Sequence, residues 1–110
     1  EWSDGFAKLI MPIGPHLLNR EGIPHGGALA TILDTAMGFA GSYTGDPDKP
    51  HIVMTLNLSV NYIAKASGIR LITTANVTGG GYKTFFAEAR VSDDLGTVAA
   101  TATGVFKRKL

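Results

Sequence analysis

The sequence contains no cysteine. That excludes disulfide bonds, thiolate metal sites and a cysteine nucleophile. No apolar run approaches the roughly 18 residues needed to span a bilayer, so no membrane partner is expected. Charge is sparse as well. Charged residues make up 17% of the chain and the net charge is +1, which leaves no basic stripe of the kind that nucleic-acid binding requires. The only basic cluster is Lys107-Arg108-Lys109, at the end of the chain, where such a cluster is usually a solvated tail. His16, His25 and His51 stand too far apart for metal-ligand spacing, so no metal is expected. There is no Gly-x-Ser-x-Gly nucleophile elbow. Gly79-Gly80-Gly81 lacks the Gly-Lys-Ser/Thr ending and the following helix of a phosphate-binding loop. The start carries no secretory signal pattern, and the expected location is the cytoplasm.

What remains is one small globular domain, residues 1–110. A chain of 110 residues, 45% of them hydrophobic, can bury a single core and little beyond it. Phe6 to Met11 reads as a short strand, followed by an irregular stretch punctuated by Gly14-Pro15, Gly22-Ile23-Pro24 and Gly26-Gly27. From Ala28 to about Ser42 the period changes to that of a helix, with Leu29, Ile32, Leu33, Ala36, Met37 and Ala40 in phase. This stretch has no lysine, arginine or glutamate, so no solvated face is evident, and burial on nearly all sides is expected.

After the break at Gly45-Asp46-Pro47-Asp48, four alternating runs follow. In the first, Ile52, Met54, Leu56, Leu58, Val60 and Tyr62 share one face, and Val53, Thr55, Asn57, Ser59 and Asn61 share the other. Runs over Ile69–Val77, Phe85–Val91 and Val98–Phe106 come next, the last two joined by the hairpin signal Asp93-Asp94-Leu95-Gly96. Short connections predict that the four strands form an antiparallel meander. Since a flat sheet cannot bury a helix on all sides, the sheet must curl around it or a second subunit must close over it.

Asp34 is the one acidic residue in the apolar helix. A buried ionised carboxylate costs several kcal/mol unless compensated. Pattern alone leaves two readings open, a wetted helix edge or a functional carboxylate. His25-Gly26-Gly27 sits where the helix begins. Free N–H groups at a helix start attract developing negative charge, and glycine lets a substrate approach the backbone. That is the chemistry of an oxyanion hole, although a plain glycine turn is the commoner meaning. Asn19 is either a carbonyl donor or a turn former. Thr55 is either a polar site residue or a choice of β propensity. His16 and His51 read as surface histidines.

Spacing adds a constraint. Asp34 follows Gly26 by eight residues, or about 12 Å along a helix axis. A nucleophile must come within about 3–3.5 Å of a carbonyl carbon, and an oxyanion donor within about 3 Å of its oxygen. One straight helix cannot bring both to one carbonyl. If both act, Asp34 of one subunit must face the His25-Gly26-Gly27 turn of another, which predicts a homodimer with two shared sites.

The pattern Asn19-x-x-Gly22-x-x-His25-Gly26-Gly27, with Asp34 nine residues after His25, resembles the hotdog-fold acyl-CoA thioesterases of the phenylacetic-acid-degradation (PaaI-like) type. The continuation through Thr55 to Asn61-Tyr62, then a glycine turn and the final strands, is similar too. The likeness covers nearly all of the chain from Asn19 onward. It implies an α+β hotdog fold, in which a curved antiparallel sheet wraps one long buried helix. It also implies a homo-oligomer, a dimer or dimer of dimers, with active sites at the interface. By position, Asp34 would be nucleophile or general base. The Gly26 amide, with Gly27 and Asn19, would polarise the thioester carbonyl. His25 would orient the loop, and Thr55 would position water or the carboxylate. That role conflicts with the alternation, which turns Thr55 away from the core.

Leu33 and Met37, with Leu29 and Phe39, would line an acyl pocket, and Lys83 and Thr84 would meet the coenzyme A portion. No cofactor is implied, because coenzyme A enters as part of the substrate. Two other functions share this fold: hydration or dehydration of an acyl-CoA, and non-catalytic acyl-CoA binding. Both fit less well. The first wants a histidine beside the carboxylate, and the second wants a further domain to report binding.

Overall fold

In the computed structural model, which describes residues 1–109, the chain runs β1 (Trp2–Ser3), β2 (Phe6–Pro12), α1 (Gly26–Ser42), β3 (Ile52–Tyr62), β4 (Arg70–Gly80), β5 (Thr84–Asp93) and β6 (Val98–Lys109). The helix and the longer strands lie where hydrophobic period places them. Only β1, two residues long, is too short to carry a period. All six strands join one antiparallel sheet in the order β1-β2-β4-β5-β6-β3. The sheet curves around α1, which packs against every strand of it. This is the α+β hotdog arrangement.

The expected meander is corrected in one respect. β4, β5 and β6 are consecutive neighbours, but β3 pairs with β6, and β4 pairs with β2. The connection from Ile63 to Ile69 is too long for a tight hairpin, and it meets the β5–β6 turn instead. Asp93 accepts from the Ser67 N–H at 2.9 Å, and Asp94 from those of Ile69 at 2.9 Å and Arg70 at 3.3 Å. Asp93 also accepts from Leu95 at 3.0 Å and Thr97 at 2.9 Å in its own turn. Burial alone would raise the Asp93 carboxyl, but the backbone donors of Ser67, Thr97 and Leu95 outweigh it and hold the group below its ordinary value.

One side of α1 is buried as expected. Leu29, Ile32, Leu33, Ala36, Met37 and Ala40 sit under the sheet. Gly41 is pressed so close to the Phe85 ring that an added Cβ would overlap it. The other side is open within one chain, so the expected burial nearly all round is not met by the sheet alone. Gly27, Thr31, Thr35 and Phe39, spaced four apart, form an exposed stripe. The two edges of the sheet, β1 and β3, are not paired with each other, so within one chain the barrel-like wrap stays incomplete. Small and hydroxylated residues on that stripe hide its exposure from a count of charges.

The last turn of α1 is closely held. The Phe39 carbonyl accepts from Trp2 Nε1 at 2.7 Å and Ser42 Oγ at 3.0 Å. The Gly41 carbonyl accepts from Arg108 Nε at 2.7 Å, and that of Ser42 from the His51 N–H at 2.8 Å. Arg108 Nη1 also donates to the carbonyls of Gly81 at 3.1 Å and Tyr82 at 2.7 Å. Its guanidinium carbon lies 4.5 Å from the Phe85 ring centroid. Arg108 is therefore not part of a solvated tail. It continues the inward series Ala100, Ala102, Gly104 and Phe106 of its strand, which puts its side chain across the helix end.

Candidate active site

Asp34 lies midway along α1, half-buried, at the border of the open stripe. Its partner comes from β3. A bulge between Thr55 and Asn57 inserts one unpaired residue, Leu56, opposite β6. An extra residue reverses the two faces of a strand. Before the bulge, Val53 and Thr55 turn toward the helix, and after it Leu58 and Val60 do. The single apolar face expected for this strand is corrected accordingly. Ile52, Met54 and Leu56 are left 67%, 61% and 53% exposed. The same bulge removes the conflict over Thr55, whose Oγ1 donates to Asp34 Oδ1 at 2.8 Å. A hydrogen bond of this kind holds the carboxylate in one orientation.

Asp34 and Thr55 open onto a cleft of about 320 Å³ between α1 and the start of β3. Thr35, Gly38, Phe39 and Val53 line it, and His51 and Ser42 lie toward the helix C-terminus. The absence of a side chain on Gly38 keeps the floor low, since a Cβ there would come within 3.3 Å of Val53. His51, read from sequence as a surface residue, is half-buried here and stands edge-on to Tyr82 with ring centroids 5.6 Å apart.

A second group gathers at the start of α1. His25 is the N-cap residue, and its Nδ1 accepts from the Gly27 N–H at 2.9 Å. The Gly27 donor is thus committed to the cap. The Gly26 N–H has no acceptor among the described residues. Asn19 uses its Oδ1 as a turn former, accepting from Glu21 at 2.9 Å and Ile23 at 3.4 Å, which leaves its Nδ2 to donate elsewhere. Asn19, Gly26 and Tyr62 line one hollow. The Tyr62 hydroxyl donates to the Gly26 carbonyl at 2.9 Å. The sequence marks Tyr62 only within the Asn61-Tyr62 stretch of the family resemblance, with no role attached to it.

The candidate residues thus form two groups rather than one: Asn19, His25, Gly26 and Gly27 at the helix start, and Asp34 with Thr55 partway along. Gly26–Ser42 is one continuous helix, so the eight-residue separation again corresponds to about 12 Å. Leu33 and Met37 belong to neither group. Both have no exposed surface and lie in the core under the sheet, because they occupy the helix face opposite the stripe, so they do not line the cleft. Phe39 does. Lys83 is exposed and Thr84 half-buried at the β4–β5 turn, beyond the His51 end, and neither lines the cleft. Among the described residues, no group of three or more His, Asp or Glu is placed to hold a metal ion. No described helix is long and apolar enough to cross a membrane.

Fold and site together define a hotdog domain that carries a carboxylate and a free helix-start amide in two separate groups. The thioesterase superfamily matches residues 21–100, which include both groups except Asn19, and the chain belongs to that superfamily. The acyl-coenzyme A thioesterase THEM4 of Bos taurus is 34% identical across 69% of this chain and 35% of its own length, so the chain spans about a third of that relative. A Bacillus halodurans protein solved with CoA is 31% identical, with a TM-score of 0.82 over 94% of this chain and 67% of that one. The PaaI protein from the phenylacetic acid degradation operon of E. coli shares the fold, with a TM-score of 0.84 at 21% identity, covering 97% of this chain and 75% of that one.

Proposed function

We propose that this domain hydrolyses acyl-CoA thioesters at two sites shared between the subunits of a homodimer. The observation that carries the reading is the Asp34 carboxylate, fixed by Thr55 and open to a cleft, on the same helix as an uncommitted Gly26 N–H. Membership of the thioesterase superfamily supports hydrolysis, and the CoA in a structure 31% identical to this chain supports the substrate class.

In the reaction, water adds across the thioester. The carbonyl carbon gains oxygen, the C–S bond breaks, and the thiolate of coenzyme A takes up a proton. The Gly26 N–H of one subunit, with Asn19 Nδ2, receives the charge that develops on the carbonyl oxygen. Asp34 of the other subunit either attacks the carbon to give an acyl–aspartyl anhydride that water opens, or takes a proton from the attacking water. Label found in Asp34 after a single turnover in ¹⁸O-labelled water would establish the anhydride route, with water opening the anhydride at the aspartyl carbon, because the general-base route leaves both Asp34 oxygens unlabelled. The acyl group lies in the cleft along Gly38, Phe39 and Val53, and the coenzyme A portion leaves toward Lys83 and Thr84.

Two features support pairing. The open stripe of α1 exposes Phe39, and the unpaired edge strand β3 exposes Ile52, Met54 and Leu56. A free apolar edge is usually covered in a native assembly. The test is a panel of acyl-CoA esters assayed for free thiol, alongside α,β-unsaturated acyl-CoA assayed for hydration. Thiol release from saturated substrates is expected, and hydration without thiol release would favour the hydratase chemistry instead. For the shared site, inactive Asp34→Asn and inactive Gly26→Val proteins are mixed under conditions of demonstrated subunit exchange. Recovery of activity is expected, since one of the two sites in a mixed dimer carries neither change. No recovery would mean that each chain holds a complete site.

A further inference from the structure

Tyr62 sits at the end of β3 and is 57% exposed, yet its hydroxyl is aimed at the backbone. It donates to the Gly26 carbonyl at 2.9 Å, and its ring stands 3.3 Å from where a Cβ on Gly26 would be. The Gly26 carbonyl belongs to the same peptide group as the Gly27 N–H, and that N–H donates to His25 Nδ1 at 2.9 Å. A continuous chain therefore runs from the tyrosine O–H through one amide to the imidazole. Each bond in such a chain polarises the next. In a neutral imidazole, a nitrogen that accepts leaves the ring proton on the other nitrogen.

We infer that Tyr62 is a positioning residue of the proposed site: acting through the Gly26–Gly27 peptide, it holds His25 as the Nε2–H tautomer and steadies the adjoining Gly26 N–H. The inference rests on the thioesterase reading for what the aligned donors do, but the tautomer stands on geometry alone. Nε2–H, on an exposed ring, is then a second directed donor beside the free amide. A phenylalanine would fill the same space against Gly26, so the part that matters here is the hydroxyl.

The test is Tyr62→Phe, which keeps the ring. Two quantities are read: the ¹⁵N shifts of the His25 ring at alkaline pH, where imidazoles are neutral, and the kcat and KM for an acyl-CoA ester. In the native protein His25 is expected to carry its proton on Nε2. In the variant the two tautomers should mix, and kcat should fall about three- to tenfold, the worth of one neutral hydrogen bond, with KM within about twofold. A purely structural role would leave the tautomer unmoved. A proton on Nδ1 in the native protein overturns the inference whatever the variant does. So does a variant whose tautomer matches the native one, whether or not kcat changes. If the tautomer shifts as expected but the native protein cleaves no acyl-CoA, the positioning role holds and the proposed reaction fails.

Discussion

The two ends of α1 are finished in opposite ways. At the C-terminus, the carbonyls of Phe39, Gly41 and Ser42 are taken by Trp2, Arg108 and the His51 amide. These come from three distant parts of the chain, so the sheet edges and the helix are tied together there. At the N-terminus, His25 satisfies Gly27, and the Gly26 N–H is left without a partner among the described residues. Orphan groups at helix ends are ordinarily satisfied. Under the proposed function the difference gives stability to one end and chemistry to the other, with Asp34 between them on the open side.

The largest break in this division should come from Asp34→Asn. Turnover should drop by about 10²–10⁴-fold, while thermal melting stays close to the native curve because the amide can still accept from Thr55. Native turnover in that variant would make Asp34 a structural residue. Gly26→Val comes next. Gly26 is not among the glycines with positive φ, so a side chain brings no left-handed strain, only contact with the Tyr62 ring. The N–H remains, but the side chain would keep the thioester carbonyl from reaching it, and losing that contact should lower turnover by about 10²–10³-fold, equivalent to about 2.7–4 kcal/mol. Normal turnover with normal melting would remove the helix start from the site.

Arg108→Ala tests the other end. Hydrogen bonds from a charged donor contribute about 1.5–3 kcal/mol, so unfolding by denaturant should show a loss of about 2 kcal/mol, with kcat of the folded fraction unchanged. A catalytic defect without a stability defect would reverse the assignment of the two ends.

The smallest effect concerns Asp93, in the β5–β6 turn. Its folded carboxyl titrates below its ordinary value, so the stability it contributes is full above the unfolded pKa and is lost as pH falls through the folded one. Denaturation midpoints measured from neutral pH to below about pH 4 should fall more steeply for the native protein than for Asp93→Asn. Parallel curves would show that the turn does not depend on the charge.

Much of the fold could be read from hydrophobic period, because α1 and the long strands each carry enough residues to show one. Strand neighbours could not be read in full. Which strand pairs with β6 depends on where the 63–69 connection crosses, and that is decided by Asp93 and Asp94, which look like ordinary hairpin residues. The site was half legible. Asp34 stood out as a lone acid in an apolar helix, and the glycines after His25 marked the helix start. Leu33 and Met37 were assigned to the wrong face because a helix without charge gives no clue to which side is open. Arg108 could have been placed by continuing the inward series of β6 two residues past Phe106. The contacts of Tyr62 with Gly26 and of His51 with Tyr82 carried no such signal, since they depend on what lies opposite in space.

The extra residue in β3 gives that strand something like a reading frame. Leu56 itself packs against little, yet every position before it is in one phase and every position after it in the other. Deleting it would leave the composition almost unchanged. It would force a choice: either Thr55 keeps Asp34 and the strand turns Leu58 and Val60 out to water, or the core is kept and the carboxylate loses its partner. A half-exposed residue can thus be harder to remove than a buried one, and relatives of this chain should tolerate almost any side chain at position 56 but no gap.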